Sequence, residues 1–176
     1  LEFRRVLFRS GIELTAKPSH EIARAGISRT YQTTQLFAQM SVLDNLLIAL
    51  RRGQLGSMVA PLRRGGDEGE AARIAESLLA FVGYRGSVDR MAGGLPHVDK
   101  RLVEIARALA TGPRVLVLDE PAAGLGAGDK TALAALLRRI ADTGVAVVLV
   151  EHDMTLVMGI SDRIAVLDAG MKIADG

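Results

Sequence analysis

The 176-residue sequence contains no cysteine and no tryptophan, and only 3% of its residues are aromatic. Without cysteine the chain forms no disulfides, which fits a reducing cytosol. Scarce aromatic side chains argue against a surface that stacks on nucleic-acid bases. No apolar run approaches the ~20 residues of a membrane-spanning helix, the longest being residues 145–150. Disulfide scaffolds, base-stacking proteins and integral membrane proteins are therefore disfavoured.

Net charge is also small, since 22 Lys and Arg residues face 20 Asp and Glu residues for a formal net charge of +2. There is no long basic block, so nucleic acid is not predicted as a partner. With 49% apolar and 24% charged residues the chain is a globular protein of one domain's length. Its first ten residues are basic but carry no continuous apolar core, so they fail as a secretion signal.

The most informative stretch is residues 114–125. Residues 115–118 are apolar without alternation, which predicts a strand buried on both faces of a parallel sheet. Asp119 and Glu120 follow it, at the end of the strand where open α/β sheets bind ligands. Burying two carboxylates there is costly without a cation, so the pair indicates a metal-phosphate site. Taken alone, the stretch could equally be a strand that runs into an acidic surface turn.

The surrounding segments decide between these interpretations. A helical pattern over residues 101–109 precedes the strand, and residues 145–150 form a second apolar strand, expected to be buried, that leads to His152. This order and spacing resembles the ATP-binding domain of ABC transporters. The resemblance implies that Asp119 is the Walker B aspartate that helps to hold Mg²⁺, Glu120 the general base, and His152 the switch histidine that contacts the γ-phosphate.

Gln32 extends the resemblance towards the N-terminus. A glutamine at a strand end is usually an ordinary loop residue, but here it ends Arg29-Thr-Tyr-Gln and precedes Leu36-Phe and Met40-Ser-Val-Leu-Asp-Asn-Leu. In this context it matches the Q-loop glutamine of the family. That implies contact of Gln32 with Mg²⁺ and the attacking water, and contact of its loop with a transmembrane partner.

Two registers compete for the family signature, which is normally Leu-Ser-Gly-Gly-Gln. Met91-Ala-Gly-Gly-Leu looks similar, but the family spacing of twenty-four residues before the Walker B aspartate selects Leu95-Pro-His-Val-Asp. Pro96 suits the first turn of a helix, whose N-terminus offers free N–H groups to a phosphate. His97 is expected to be an ordinary helix-start residue in preference to a phosphate ligand. The resemblance implies that the nucleotide-binding residues are Leu95, Pro96, His97, Val98, Asp99 and Gly126, the last in place of the D-loop aspartate.

Local signals predict the remaining elements. Pro18 and Gly26 bracket a short helix, Ser41 and Asp44 mark a helix start, and Ala169-Gly170 marks a closing hairpin. Residues 51–69 are expected to be an exposed loop. An amphipathic helix follows, whose predicted apolar stripe consists of Ile74, Leu78, Phe81 and Val82.

The family's phosphate loop, Gly-x-x-x-x-Gly-Lys-Ser/Thr, is found nowhere in this sequence. We therefore expect residues 1–10 to be foreign or unassigned and residues 11–176 to be a partial ABC ATP-binding domain, with a helical subdomain at about 41–110. The expected fold is α/β, a three-layer P-loop NTPase of the ABC ATPase type with a parallel sheet core. Its first strand and phosphate loop are expected to be missing.

The functional expectation is an ATP-hydrolysing subunit of an ABC importer that uses ATP and Mg²⁺. Leu95-Pro-His-Val-Asp and Pro121-Ala-Ala-Gly-Leu are similar to the corresponding motifs of ATPase subunits of importers for branched-chain or other hydrophobic amino acids. The implied partners are transmembrane permease subunits and a second ATPase subunit in a head-to-tail dimer, at the cytoplasmic face of the cell membrane as a peripheral protein. Two alternatives remain: a catalytically incompetent fragment, and a soluble ABC ATPase acting in translation or DNA repair.

Overall fold

The computed structural model describes residues 8–9, 12–33, 35–51 and 68–176. Its strands are β1 (Phe8–Arg9), β2 (Ile12–Glu13), β3 (Ile27–Arg29), β4 (Val115–Asp119), β5 (Ala146–Val150), β6 (Ala165–Asp168) and β7 (Met171–Asp175). Its helices are α1 (Ser19–Arg24), α2 (Val42–Leu50), α3 (Glu68–Val82), α4 (His97–Ala110), α5 (Ala127–Asp142) and α6 (Met154–Ile160). A short 3₁₀ helix, Ala92–Gly94, precedes α4. The predicted α/β class is confirmed.

A parallel sheet in the order β3-β4-β5 forms the centre of the fold. Arg29 pairs with Val117, and Asp119 pairs with Val150, so all three strands run in the same direction and end at one edge. Leu116 and Leu118 are completely buried and pack among apolar side chains of α4 and α5. The strand that carries Asp119 is therefore fixed in the hydrophobic core.

The burial predicted for β5 is wrong on one of its two faces. Val147 and Leu149 pack against the core, whereas Val148 and Val150 are 47% and 52% exposed. The physical reason is that no element within the described ranges covers its outer face. Apolar composition alone predicted the strand correctly but not its surroundings.

Helices α2, α3 and α4 pack on one another beside the sheet. The apolar stripe predicted for α3 is confirmed at Leu78, Phe81 and Val82, which pack on the core, and is wrong at Ile74, which is 43% exposed. The most buried residues of the helix are Ala75, Leu79 and Val82. These three residues also follow helical spacing, and the small Ala75 side chain permits close approach of the neighbouring helices. The loop expected at residues 51–69 lies mostly outside the described residues, and α3 already begins at Glu68.

Several local predictions are confirmed. Gly26 follows α1 with a φ of 84°, a left-handed conformation that glycine adopts at no steric cost. The Ser41 hydroxyl accepts the Asp44 N–H at 3.0 Å, which caps the start of α2. The closing hairpin turns at Ala169 and Gly170, both with positive φ. None of the helices that the structure describes has the length and apolar character needed to span a membrane.

Candidate active site at the ends of the parallel strands

The predicted site residues Gln32, Asp119, Glu120 and His152 meet where β3, β4 and β5 end. The Thr30 N–H bonds to the Val117 carbonyl at 2.9 Å, which carries the parallel pairing past the end of β3 towards Gln32. The Glu120 N–H likewise bonds to the Val150 carbonyl at 2.9 Å, beyond the last residue of β4. Parallel pairing thus brings together side chains that lie up to 120 positions apart in the sequence.

Asp119 is bonded to a cation of the chain itself. Arg29 Nη2 lies 2.6 Å from Asp119 Oδ2, and the Arg29 guanidinium also stacks on the Tyr31 ring at 5.1 Å from its centroid. The Asp119 side chain is 24% exposed, so this pair lies at the surface of the site and is open to exchange with another cation. Asp119 is consequently an accessible oxygen ligand on a rigid strand.

Glu120 lies in a strained position directly after β4. Its φ is 43°, an uncommon value for a residue with a side chain, and such strain is concentrated at functional sites. Gln32 Nε2 donates to Glu120 Oε2 at 2.8 Å. The other carboxylate oxygen, Oε1, lies 4.0 Å from Nδ1 of His152, whose side chain is 77% exposed. A distance of 4.0 Å is too long for a hydrogen bond, so His152 is unrestrained by Glu120.

The loop after β5 contains two carboxylates with a different role. Glu151 Oε1 accepts the Ala122 N–H at 2.8 Å, and the Glu151 side chain is 1% exposed. Asp153 caps α6 by accepting the Leu156 N–H and pairs with Lys130 Nζ at 2.7 Å. The hydrogen bond from Lys130, followed by that from Leu156, lowers the pKa of the Asp153 carboxyl below its ordinary value. Both carboxylates stabilise the loop that carries His152.

Residues 95–99 lie at the N-terminus of α4, as the chosen register of the signature requires. Leu95 is buried in the core and Pro96 is the N-cap, one position earlier than the first-turn place expected for it. Because Pro96 has no side-chain acceptor, it cannot cap the N–H groups of the first turn. Leu95 therefore anchors this segment to the core, and residues 96–99 are the ones accessible to a ligand.

His97 and Asp99 have distinct neighbours at this helix end. His97 Nε2 lies 3.0 Å from the Ala123 carbonyl. Arg101 pairs with Glu104 at 3.1 Å inside the protein, so it is bonded to a carboxylate other than Asp99. Burial raises the pKa of the Tyr84 phenol, and the nearby charge of Asp99 adds to the rise. Gly126 is the exposed N-cap of α5.

The oxygen donors at the end of β4 fit a magnesium ion. Within the part of the chain that the structure describes, no three His, Asp or Glu side chains gather as a metal-binding group. Mg²⁺ does not need such a group, since it usually takes one or two carboxylates together with phosphate oxygens and water. Asp119 and the amide oxygen of Gln32 are hard ligands of the required kind. The short contact of Asp119 with Arg29 shows that this oxygen attracts a cation.

Sequence reasoning missed the roles of Arg29 and Glu151, and of the buried pair Arg101 and Glu104. Arg101 donates to the Tyr31 carbonyl at 3.3 Å and Glu104 accepts the Gln35 N–H at 2.7 Å, so this pair fixes both sides of the segment that contains Gln32. The contact of Arg29 with Asp119 depends on the register in which β3 pairs with β4. The partners of Glu151 depend on tertiary packing and left no sequence signal.

Comparison with known proteins identifies the family of the chain. A family model described as "ABC transporter" matches residues 5–123. The chain is 42% identical over 173 residues to the high-affinity branched-chain amino acid transport ATP-binding protein BraF of Pseudomonas aeruginosa, covering 94% of this chain and 67% of that protein. It is 38% identical over 168 residues to the corresponding protein LivG of Escherichia coli, covering 93% of this chain and 66% of that protein.

A solved structure gives the same result for the fold. The ADP conformation of an ATP-binding cassette of an ABC transporter superposes with a TM-score of 0.79 at 32% identity, covering 97% of this chain and 68% of that chain. This chain thus spans about two thirds of the length of the relatives it matches. With a family model over most of its length and relatives above 30% identity, the chain belongs to the ABC transporter ATP-binding family.

Proposed function

We propose that this chain is the ATP-binding and ATP-hydrolysing part of an ABC importer for branched-chain amino acids. The observation that carries the proposal is the 2.8 Å bond between Gln32 and Glu120 at the shared edge of three parallel strands. This bond supports the proposal because it joins the residue proposed as the Q-loop glutamine to the residue proposed as the general base. The names of the relatives, branched-chain amino acid transport ATP-binding proteins, supply the substrate class.

Each side chain at the strand ends has a separate part in hydrolysis. Glu120 accepts a proton from the attacking water. Its strained backbone and its bond to Gln32 fix the orientation of the carboxylate. Asp119 and Gln32 would hold Mg²⁺, which neutralises charge that develops on the phosphates. The exposed imidazole of His152 is free to contact the γ-phosphate. Arg29 balances the charge of Asp119 until the cation binds.

The N-terminus of α4 would contribute to a second nucleotide site. Its first-turn N–H groups and the positive end of the helix dipole favour an anion. Pro96 and His97 are exposed and Val98 is half-buried, so this end of α4 is open to a ligand from outside the chain. We propose that residues 96–99 contact the nucleotide held by a second ATPase subunit in a head-to-tail dimer, with transmembrane permease subunits as the further partners, at the cytoplasmic face of the membrane.

Transport by a completed cassette tests the proposal. We define the completed cassette as this chain extended at its N-terminus by a strand and a Gly-x-x-x-x-Gly-Lys-Ser/Thr loop. Cells that lack the ATP-binding subunits of their branched-chain importer should regain uptake of labelled leucine when they express it. Glu120→Gln should abolish the uptake at equal protein level. A cassette that hydrolyses ATP in solution yet restores no leucine uptake would contradict the transport assignment and favour a non-transport ABC ATPase.

A further inference from the structure

The turn at residues 121–125 is held from two sides by contacts that the proposed function does not use. On one side the Ala122 N–H donates to Glu151 Oε1 at 2.8 Å. On the other side the Ala123 carbonyl accepts from His97 Nε2 at 3.0 Å. Two consecutive residues of the turn that follows Glu120 are thus bonded to other elements. Ala122 is bonded to the loop of His152, and Ala123 is bonded to the first residue of α4.

The bond to Glu151 is well protected from water. Ala122 is 3% exposed and the Glu151 side chain 1% exposed, so neither group has water as an alternative partner. The second oxygen of the carboxylate, Oε2, accepts the His152 N–H at 3.1 Å. A buried carboxylate is tolerated because N–H groups satisfy it. Glu151 therefore links the turn to the backbone of the residue that is proposed to contact the γ-phosphate.

The bond to His97 is exposed but sterically defined. Gly124 has a φ of 74°, and a β-carbon built there would lie 3.4 Å from His97 Nε2. The imidazole thus lies beside a turn position whose positive φ favours glycine. Since the Ala123 carbonyl can only accept, His97 carries its proton on Nε2 when this bond forms.

From these contacts we propose that His97 and Glu151 are positioning residues that clamp the turn 121–125 between the N-terminus of α4 and the loop of His152. The clamp transmits a ligand contact at residues 96–99 to Glu120, which begins the turn with its strained backbone. The effect on hydrolysis rests on the proposed function. The mechanical link itself does not, because it concerns only contacts within this chain.

The link is tested first without any hydrolysis. In the completed cassette, His97→Phe keeps an aromatic ring and removes the donor, while His97→Gln keeps a donor at nearly the same distance from the backbone. Amide exchange at Ala122 should accelerate about tenfold in His97→Phe, as expected for the loss of one hydrogen bond, and stay unchanged in His97→Gln. His20→Phe, at an exposed site on α1, is the matched control. Unchanged Ala122 exchange in His97→Phe would overturn the proposal, whatever the ATPase activity.

ATP turnover tests the consequence of the link. His97→Phe should lower kcat about three- to tenfold and change KM for ATP less than twofold, because the bond acts on the position of Glu120. Glu151→Ala should lower kcat more, about ten- to a hundredfold, since it leaves the buried Ala122 N–H unsatisfied. The exposed Glu76→Ala is its control.

The double variant His97→Phe with Glu151→Ala distinguishes one clamp from two separate roles. If both residues act through the same turn, the double variant should be no slower than Glu151→Ala alone. Multiplicative effects on kcat, or failure of His97→Gln to restore kcat, would contradict the clamp. Loss of the proposed function gives a different result: an inactive parent cassette in which the exchange at Ala122 still responds to His97→Phe.

Discussion

Polar groups at the ends of the parallel strands are bonded to side chains of the same chain, whereas the N–H groups at the N-terminus of α4 have no side-chain cap. At the strand ends, Asp119 and Glu120 are each bonded to a side chain of the same chain, Arg29 and Gln32. At α4, the N-cap is a proline that offers the first turn no side-chain acceptor. One region is a group of polar side chains bonded to one another, and the other has no side-chain cap for its N–H groups. The contrast is the one expected for the proposed composite site, in which each chain would supply chemistry to one nucleotide and a cap to another.

The largest effect is expected for replacement of Glu120, which should lower ATP turnover without changing nucleotide binding or dimer closure. Glu120→Gln in the completed cassette should lower ATP turnover by about 10²- to 10⁴-fold, because general-base catalysis contributes that much. Binding of MgATP and dimer closure should persist, since neither depends on the proton acceptor. Steady-state phosphate release and calorimetry measure the two quantities. Turnover equal to that of the parent, with Glu76→Gln as control, would show that Glu120 is structural.

Stability should differ strongly between the two regions. Leu118→Ala removes a completely buried side chain beneath the strand ends and should cost about 2–5 kcal/mol of the free energy of unfolding. Val98→Ala, at a half-buried position on α4, should cost about 1 kcal/mol or less. Urea denaturation of the completed cassette measures both. Equal losses would mean that the α4 terminus is as firmly packed as the sheet, against the distinction drawn above.

The smallest effect concerns the ion pair that supports the His152 loop. Asp153→Asn keeps an N-cap acceptor for α6 but removes the charge that pairs with Lys130. Because the folded pKa of Asp153 is lowered, its charge stabilises the fold above the ordinary pKa of 3.8. That contribution is lost as the pH falls through the lowered folded pKa.

Thermal unfolding at several pH values checks this expectation. Asp153→Asn should have a slightly lower Tm than the parent at pH 7, and the gap should begin to narrow below about pH 3.8 and close as the pH falls through the lowered folded pKa. A gap that is independent of pH would show that the charge of Asp153 contributes nothing. Lys130→Gln is the matched partner variant and should show the same closing gap.

Local sequence signals predicted where helices and turns begin and end better than they predicted which elements pack against one another. The cap at Ser41, the glycine after α1 and the turn at Ala169-Gly170 are decided by a few adjacent residues, and all three are confirmed. The place of Asp119 and Glu120 at a binding edge followed from the rule that open α/β sheets bind ligands at the ends of their strands, whereas Gln32 was assigned through the family resemblance. These features need no knowledge of long-range packing.

The features that sequence reasoning missed all depend on tertiary register. The contact of Arg29 with Asp119 requires that β3 pair with β4 in one particular register. The bond from Ala122 to Glu151 requires two loops to meet, and the exposure of Val148 depends on what covers β5. Apolar composition reports that a strand is able to be buried, but the neighbours decide whether each face is buried.

Dimer closure tests the composite site most directly. The measurement is light scattering of the completed Glu120→Gln cassette with saturating MgATP, compared with the same protein carrying Val98→Glu or Asp99→Asn. A carboxylate added at Val98 would lie within the first turn of α4, where it would occupy the end of the helix that attracts an anion and would repel the partner's phosphates. The account predicts a dimer for the parent, a dimer with only modestly changed affinity for Asp99→Asn, and a monomer for Val98→Glu. A Val98→Glu protein that dimerises as well as the parent would show that residues 95–99 do not face nucleotide.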